Sequence, residues 1–146
     1  GKKIYKDKSE KKIWGYHDAT HVIFGMDVSL EEEAILDTWA IWGTDFTLTQ
    51  ALSYYKLPEL KELQDKLLSE VKILGFLKLY KNVFKTKIKV LRKVWKMKKK
   101  WPYQFPNDFY DRKICDLRKE YGISIFKPEE KEFQKLIWSG SINNNK

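Results

Sequence analysis

The sequence predicts a mainly α-helical protein, and three observations carry that expectation. Apolar residues recur at helical spacing in several separate runs. Helix-starting and helix-stopping residues bracket those runs, and the gaps between them are about three or four residues, the usual length between packed helices. At 146 residues, with 42% hydrophobic and 15% aromatic side chains, the chain is long enough to bury one core and too rich in aromatics to stay unfolded.

Residues 1–12 are polar and lysine-rich and read as a flexible basic arm. From Ile13 to Met26 the apolar residues lack a clear helical period, so a short strand or an irregular packed segment is expected around Trp14, Tyr16 and Val22 to Phe24. Ser29 and Glu32 have the spacing of a capping box, and three glutamates in the following turn suit the positive end of a helix dipole. Leu30, Ala34, Ile35, Thr38, Trp39 and Trp42 then mark a helix that Gly43 ends. Thr47 with Gln50 makes a second capping box, opening a short helix that Pro58 stops by disfavouring helical geometry at Leu57. Pro58 starts a third helix, with Leu60, Leu63, Leu67, Val71 and Leu74 on one face as far as Gly75.

Phe76 to Trp101 places Tyr80, Phe84, Ile88, Leu91 and Trp95 on one helical face, with cations over much of the rest. Lys85 to Val90 also alternates as an exposed strand would, with Lys81-Asn82 as a turn, but an apolar stripe lasting about four turns favours a long basic amphipathic helix. Trp101 to Pro106 reads as a stiff linker. Asn107 caps a helix over about 108–121 that Gly122 terminates, and Pro128 opens a last helix that Gly140 stops. The expected organisation is a helix-turn-helix-like region over 13–75, the basic helix with a two-helix C-terminal half over 76–138, both in one compact unit, and a tail over 139–146.

Charge is segregated along the chain. Between Val71 and Asn107 there are 12 lysines and arginines and no aspartate or glutamate, whereas Ile13 to Tyr55 holds seven acids and no lysine or arginine. Such separation points to a polyanion partner for the basic segment. Lysine outnumbers arginine 26 to 3, which favours phosphate contact over the bidentate base reading that arginine performs. The single Cys115 excludes an internal disulfide and reads as buried filler. No run is long and apolar enough to span a bilayer and the N-terminus lacks a signal peptide's apolar stretch, so a cytoplasmic protein is expected. The initial glycine points to a tag scar or a piece of a longer chain.

Phe46 to Leu63 resembles the helix-turn-helix of DNA-binding regulators: a short helix with an alanine at its tightly packed position, a brief turn, then a longer helix. That resemblance implies that the second helix enters the major groove with Glu59, Lys61 and Glu62 nearest the bases. Tyr55-Lys56 replaces the usual turn glycine, and the second helix is rich in acids. Lys100 to Arg118, with Trp101-Pro102, Phe105-Pro106 and Phe109-Tyr110, is similar to a segment of phage and prophage regulatory proteins, which implies a phage or mobile-element source.

His17-Asp-Ala-Thr-His21 echoes the zinc-protease pattern of two histidines four apart, with aspartate in place of glutamate and no helix expected beneath it; a third ligand would have to be a carboxylate such as Asp27. Satisfied histidines beside an aromatic cluster are the preferred reading, so no metal, cofactor or catalytic residue is assigned. The expected function is non-enzymatic binding of nucleic acid, DNA more than RNA, as a phage-type transcription regulator. Lys85, Lys87, Lys89, Arg92, Lys93, Lys96, Lys98, Lys99 and Lys100, with Lys61, would contact phosphates. The competing expectation is a structural module whose acidic and basic surfaces meet an acidic partner protein or a second copy.

Overall fold

The computed structural model describes residues 8–55 and 58–135. The mainly α class is borne out. Among the described residues five α-helices, α1 (Lys8–Phe24), α2 (Leu30–Gly43), α3 (Leu48–Tyr55), α4 (Pro58–Trp95) and α5 (Ile114–Tyr121), are joined with two 3₁₀ turns at Asn107–Asp111 and Pro128–Glu130. The described residues contain no strand beyond an isolated bridge between Thr44 and Trp101.

The first difference from expectation is α1, where the sequence favours a strand or an irregular segment. Tyr16, Thr20, Ile23 and Phe24 are buried at helical spacing, and the Thr20 hydroxyl bonds back to the Tyr16 carbonyl at 2.8 Å. Gly25, at φ 66°, stops the helix: its N–H reaches Val22 O and the Met26 N–H reaches His21 O at 2.9 Å, a Schellman ending that only a glycine adopts cheaply. Arg118 completes the stop from across the chain, donating to the Ile23 carbonyl at 2.9 Å and the Val22 carbonyl at 2.7 Å. Residues 8–12 of the expected arm belong to α1; the rest of the arm and the tail lie outside the described residues.

The expected α2 forms, but its Ser29–Glu32 capping box does not. Glu32 turns away to accept from the Asp27 N–H at 2.7 Å and to pair with Lys131 at 2.7 Å, leaving no side-chain cap at Ser29. The Thr47–Gln50 box does form, in both directions. The helices expected to end at Gly75 and begin at Phe76 are merged in α4, broken only at Lys72, whose φ of 56° is not helical. The turn at Lys56 and Leu57 lies outside the described residues.

α2 packs chiefly on α4, and the buried face of α4 is not the expected one. Leu79, Val83, Thr86 and Val90 are buried, whereas Leu77, Tyr80, Phe84 and Trp95 face solvent. Small β-branched side chains let α4 lie close to α2, whose Trp39 is fully buried and stacks on Phe24 at 4.6 Å. Residues 101–106 are core, not linker. Trp101, Tyr103 and Phe105 are buried, Trp101 lies 5.0 Å from the Tyr121 ring, and its backbone bonds Gly43 O and Asp45 N. Asn107 opens only a 3₁₀ turn before α5, and Pro128 likewise opens three residues of 3₁₀ where a longer helix is expected. Gly122, at φ 69°, ends α5 as expected. Cys115 is exposed, not buried filler.

Candidate metal centre

The helical form of α1 changes the meaning of its two histidines. One turn apart on the same helix, His17 and His21 face the start of α2, and their rings meet edge to face at 4.7 Å. Glu33 comes to them from the first turn of α2. Its Oε1 is 3.1 Å from His21 Nε2 and its Oε2 is 3.6 Å from His17 Nε2. One donor atom from each of the three residues falls within 4.8 Å of the others. Ligands about 2.0–2.1 Å from a tetrahedral zinc ion stand about 3.3 Å apart, so the trio could hold such an ion after its side chains move together. The carboxylate beside the two histidines is therefore Glu33, and Asp27 instead pairs with Lys135 at 2.9 Å.

The surroundings orient the donors. His21 Nδ1 lies 3.3 Å from the Met26 carbonyl, a contact set up by the Schellman ending at Gly25, and this directs Nε2 at Glu33. That nitrogen is buried without an aligned hydrogen bond despite its closeness to the carboxylate. Asp18 Oδ1 stands 4.0 Å from His17 Nδ1, where metal-bound imidazoles commonly have a carboxylate behind them. Burial opposes ionisation of Glu33, but the two imidazoles outweigh it and hold the carboxyl down to about 2. Burial likewise opposes a charge on His21, and Glu33 outweighs it so that the net shift is upward. Two imidazoles and one carboxylate are a borderline-soft donor set suited to zinc-class ions, and three protein ligands leave a fourth position open.

His17 also lines a groove of about 650 Å³ between α1, α2, α3 and α4. Leu36, Ile41, Phe46, Leu48 and Tyr103 make its walls mainly apolar, while Asp37 and Lys87 bring opposite charges to it. Asp37 is open to water, but its concave setting strips enough solvent to push its carboxyl up to about 6, against the pull of Lys87. Burial in the same groove lowers the Lys87 ammonium, with Asp37 opposing. Desolvation pushes the Tyr103 hydroxyl up to about 12, which keeps it neutral.

The expected phosphate-binding cations divide. Lys89 pairs with Glu132 at 2.6 Å, Lys93 with Glu130 at 3.4 Å and Lys99 with Glu120 at 2.6 Å, while Lys87 turns to the groove. Lys98 donates to the Lys119 carbonyl at 3.1 Å. Lys85, Arg92, Lys96, Lys100 and Lys61 are exposed, and none forms an ion pair among the described residues. Among the aromatics of this segment Trp101 is buried, while Tyr80 and Phe84 are exposed and Trp95 is 87% exposed.

The sequence shows no helix under the histidines, so their spacing alone carries no metal assignment. The signal lay in the combination of His17 and His21 at one-turn spacing, Gly25 as a stop after them, and a lysine-free acidic stretch supplying a carboxylate. No protein-family model matches the chain, and neither a curated protein nor a solved structure resembles it significantly.

Proposed function

We propose that the chain holds one divalent metal ion of the zinc class on His17, His21 and Glu33 and uses it on a largely apolar small molecule bound in the adjoining groove. The observation that carries this reading is the convergence of three donor atoms from two helices, with His17 common to the trio and the groove wall. An ion there supplies Lewis-acid polarisation or an activated water. The protein's own groups do the rest. Apolar walls orient the ligand and exclude water, Lys87 offers a cation to any anionic group it carries, and Asp37 is the groove's acid nearest that cation.

Elemental analysis after chelator treatment and zinc reloading tests this. The expected result is about one zinc per chain, lost in His21→Ala and Glu33→Gln at unchanged helicity. Zinc retained equally by those variants, or none bound by the wild type, overturns the proposal and leaves an ion-paired His–Glu–His cluster.

A second reading concerns the basic segment: binding of a polyanion, nucleic acid being the one the sequence points to. It is favoured by Lys78, Lys81, Lys85, Arg92 and Lys96, which are exposed at successive helical spacings and so share one side of α4. A mobility-shift titration with duplex and single-stranded DNA at two salt concentrations tests it, with complexes expected at low salt that weaken at least about tenfold at the higher.

A further inference from the structure

The exposed side of α4 carries a second row beside its cations. Leu77, Tyr80, Phe84, Ile88, Leu91 and Trp95 are spaced by three or four residues, and each is followed directly by a cation: Lys78, Lys81, Lys85, Lys89, Arg92 and Lys96. Neighbouring residues on a helix are about 100° apart around the axis, so the two rows run side by side along the same length. Both lie away from Leu79, Val83, Thr86 and Val90, which fill the core. The apolar row is open: Leu77 is 62%, Phe84 61% and Trp95 87% exposed. Ile73 and Leu74 prolong it at one end, and Trp42 of α2 stands beside Leu91 and Trp95 at the other.

A row of exposed apolar side chains this long is a contact surface awaiting an occupant. Its flanking charge selects among occupants. From Val71 to Asn107 there is no acid, so a second copy laid against this face would set cation row against cation row. A nucleic-acid backbone would satisfy the cations but give nothing to Leu77, Ile88 or Leu91. The surface of an anionic bilayer offers both at once, phosphates for the ammonium groups and the upper acyl region for the apolar row. Trp95 and Tyr80 are side chains that favour this boundary, and lysine stems reach from it to the headgroups. Among the described residues no helix is long and apolar enough to cross a membrane, so the helix would lie in the interface plane.

We infer that α4 docks the protein flat on an anionic lipid surface through these paired apolar and cationic rows. This rests on the polyanion reading of the basic segment and names the polyanion.

The test is co-sedimentation of the full chain with phosphatidylcholine vesicles, alone or with about one-third phosphatidylglycerol, beside a mobility shift on duplex DNA in the same buffer. Binding at least tenfold tighter to the anionic vesicles is expected. The triple variant Leu77→Ser, Phe84→Ser, Trp95→Ser, whose side chains lie outside the core, should lose at least tenfold of that binding. No binding of the wild type to anionic vesicles while DNA is shifted overturns the lipid inference and leaves the polyanion reading standing; failure of both overturns both. Vesicle binding that the triple variant keeps in full also overturns the inference, because charge alone then carries the contact. So does a wild-type dimer that the triple variant abolishes.

Discussion

The start of α2 and the exposed side of α4 both crowd charges of one sign, and they meet opposite fates. Glu31, Glu32 and Glu33 follow one another in the first turn of α2, yet Glu31 and Glu32 are buried. Partners from other elements meet two of the three: Lys131 reaches Glu32 at 2.7 Å, and α1 sets two imidazoles against Glu33. On α4, among the described residues, the C-terminal segment supplies Glu130 and Glu132 for Lys93 and Lys89, and the remaining row stays in water. A run of like charge in a sequence therefore does not say whether it becomes a site or a surface. The partners that fold onto it decide.

Substitutions on the two helices sharpen this contrast, the largest effect first. Trp39 of α2 and Trp95 of α4 are the same side chain at 0% and 87% exposure. Trp39→Ala should cost about 3–5 kcal/mol in denaturant unfolding. Trp95→Ala should stay within about 0.5 kcal/mol. Equal losses at the two positions would mean that the assigned core face of α4 is wrong. A smaller effect separates the paired and free lysines. Lys131→Met strands the buried Glu32 carboxylate and should cost about 2 kcal/mol. Lys96→Met should be within about 0.5 kcal/mol of wild type.

The smallest effect is a pH dependence at the groove. Asp37 is pushed up to about 6, above its unfolded value, so the folded state binds its proton more tightly and stability falls as pH rises from about 4 to about 6. Asp37→Asn removes that fall. The variant should match the wild type near pH 4 and melt slightly higher at neutral pH, a gain of about 1 kcal/mol or less after screening by the water around this exposed position. A variant that melts lower at neutral pH would show that the Lys87 pairing outweighs the desolvation.

The elements with strong local punctuation were legible in the sequence. The Thr47–Gln50 box starts α3, Pro58 opens α4 and Gly122 ends α5 where each is expected. α1 was not, because Gly15 and the β-branched Thr20, Val22 and Ile23 hide its period, and part of its ending comes from Arg118, far along the chain. The face of α4 was misread for a different reason. Two apolar rows of equal spacing compete on that helix, and the bulkier one looks more like core, yet the fold uses the smaller, β-branched row to approach α2. The Trp101 to Pro106 segment reads as a linker because its prolines forbid regular structure; irregular backbone still buries three aromatic rings when Gly43 and Asp45 satisfy its polar groups. The grouping of His17, His21 and Glu33 needs both α1 and the turn into α2, so the sequence pattern alone does not display it.

Cobalt(II) titration of the metal-free chain, followed by visible absorption, tests the trio most directly. The account predicts intense four-coordinate bands that saturate at about one equivalent and vanish in Glu33→Gln. A spectrum no stronger than that of the hydrated ion, or one that Glu33→Gln leaves unchanged, would contradict it.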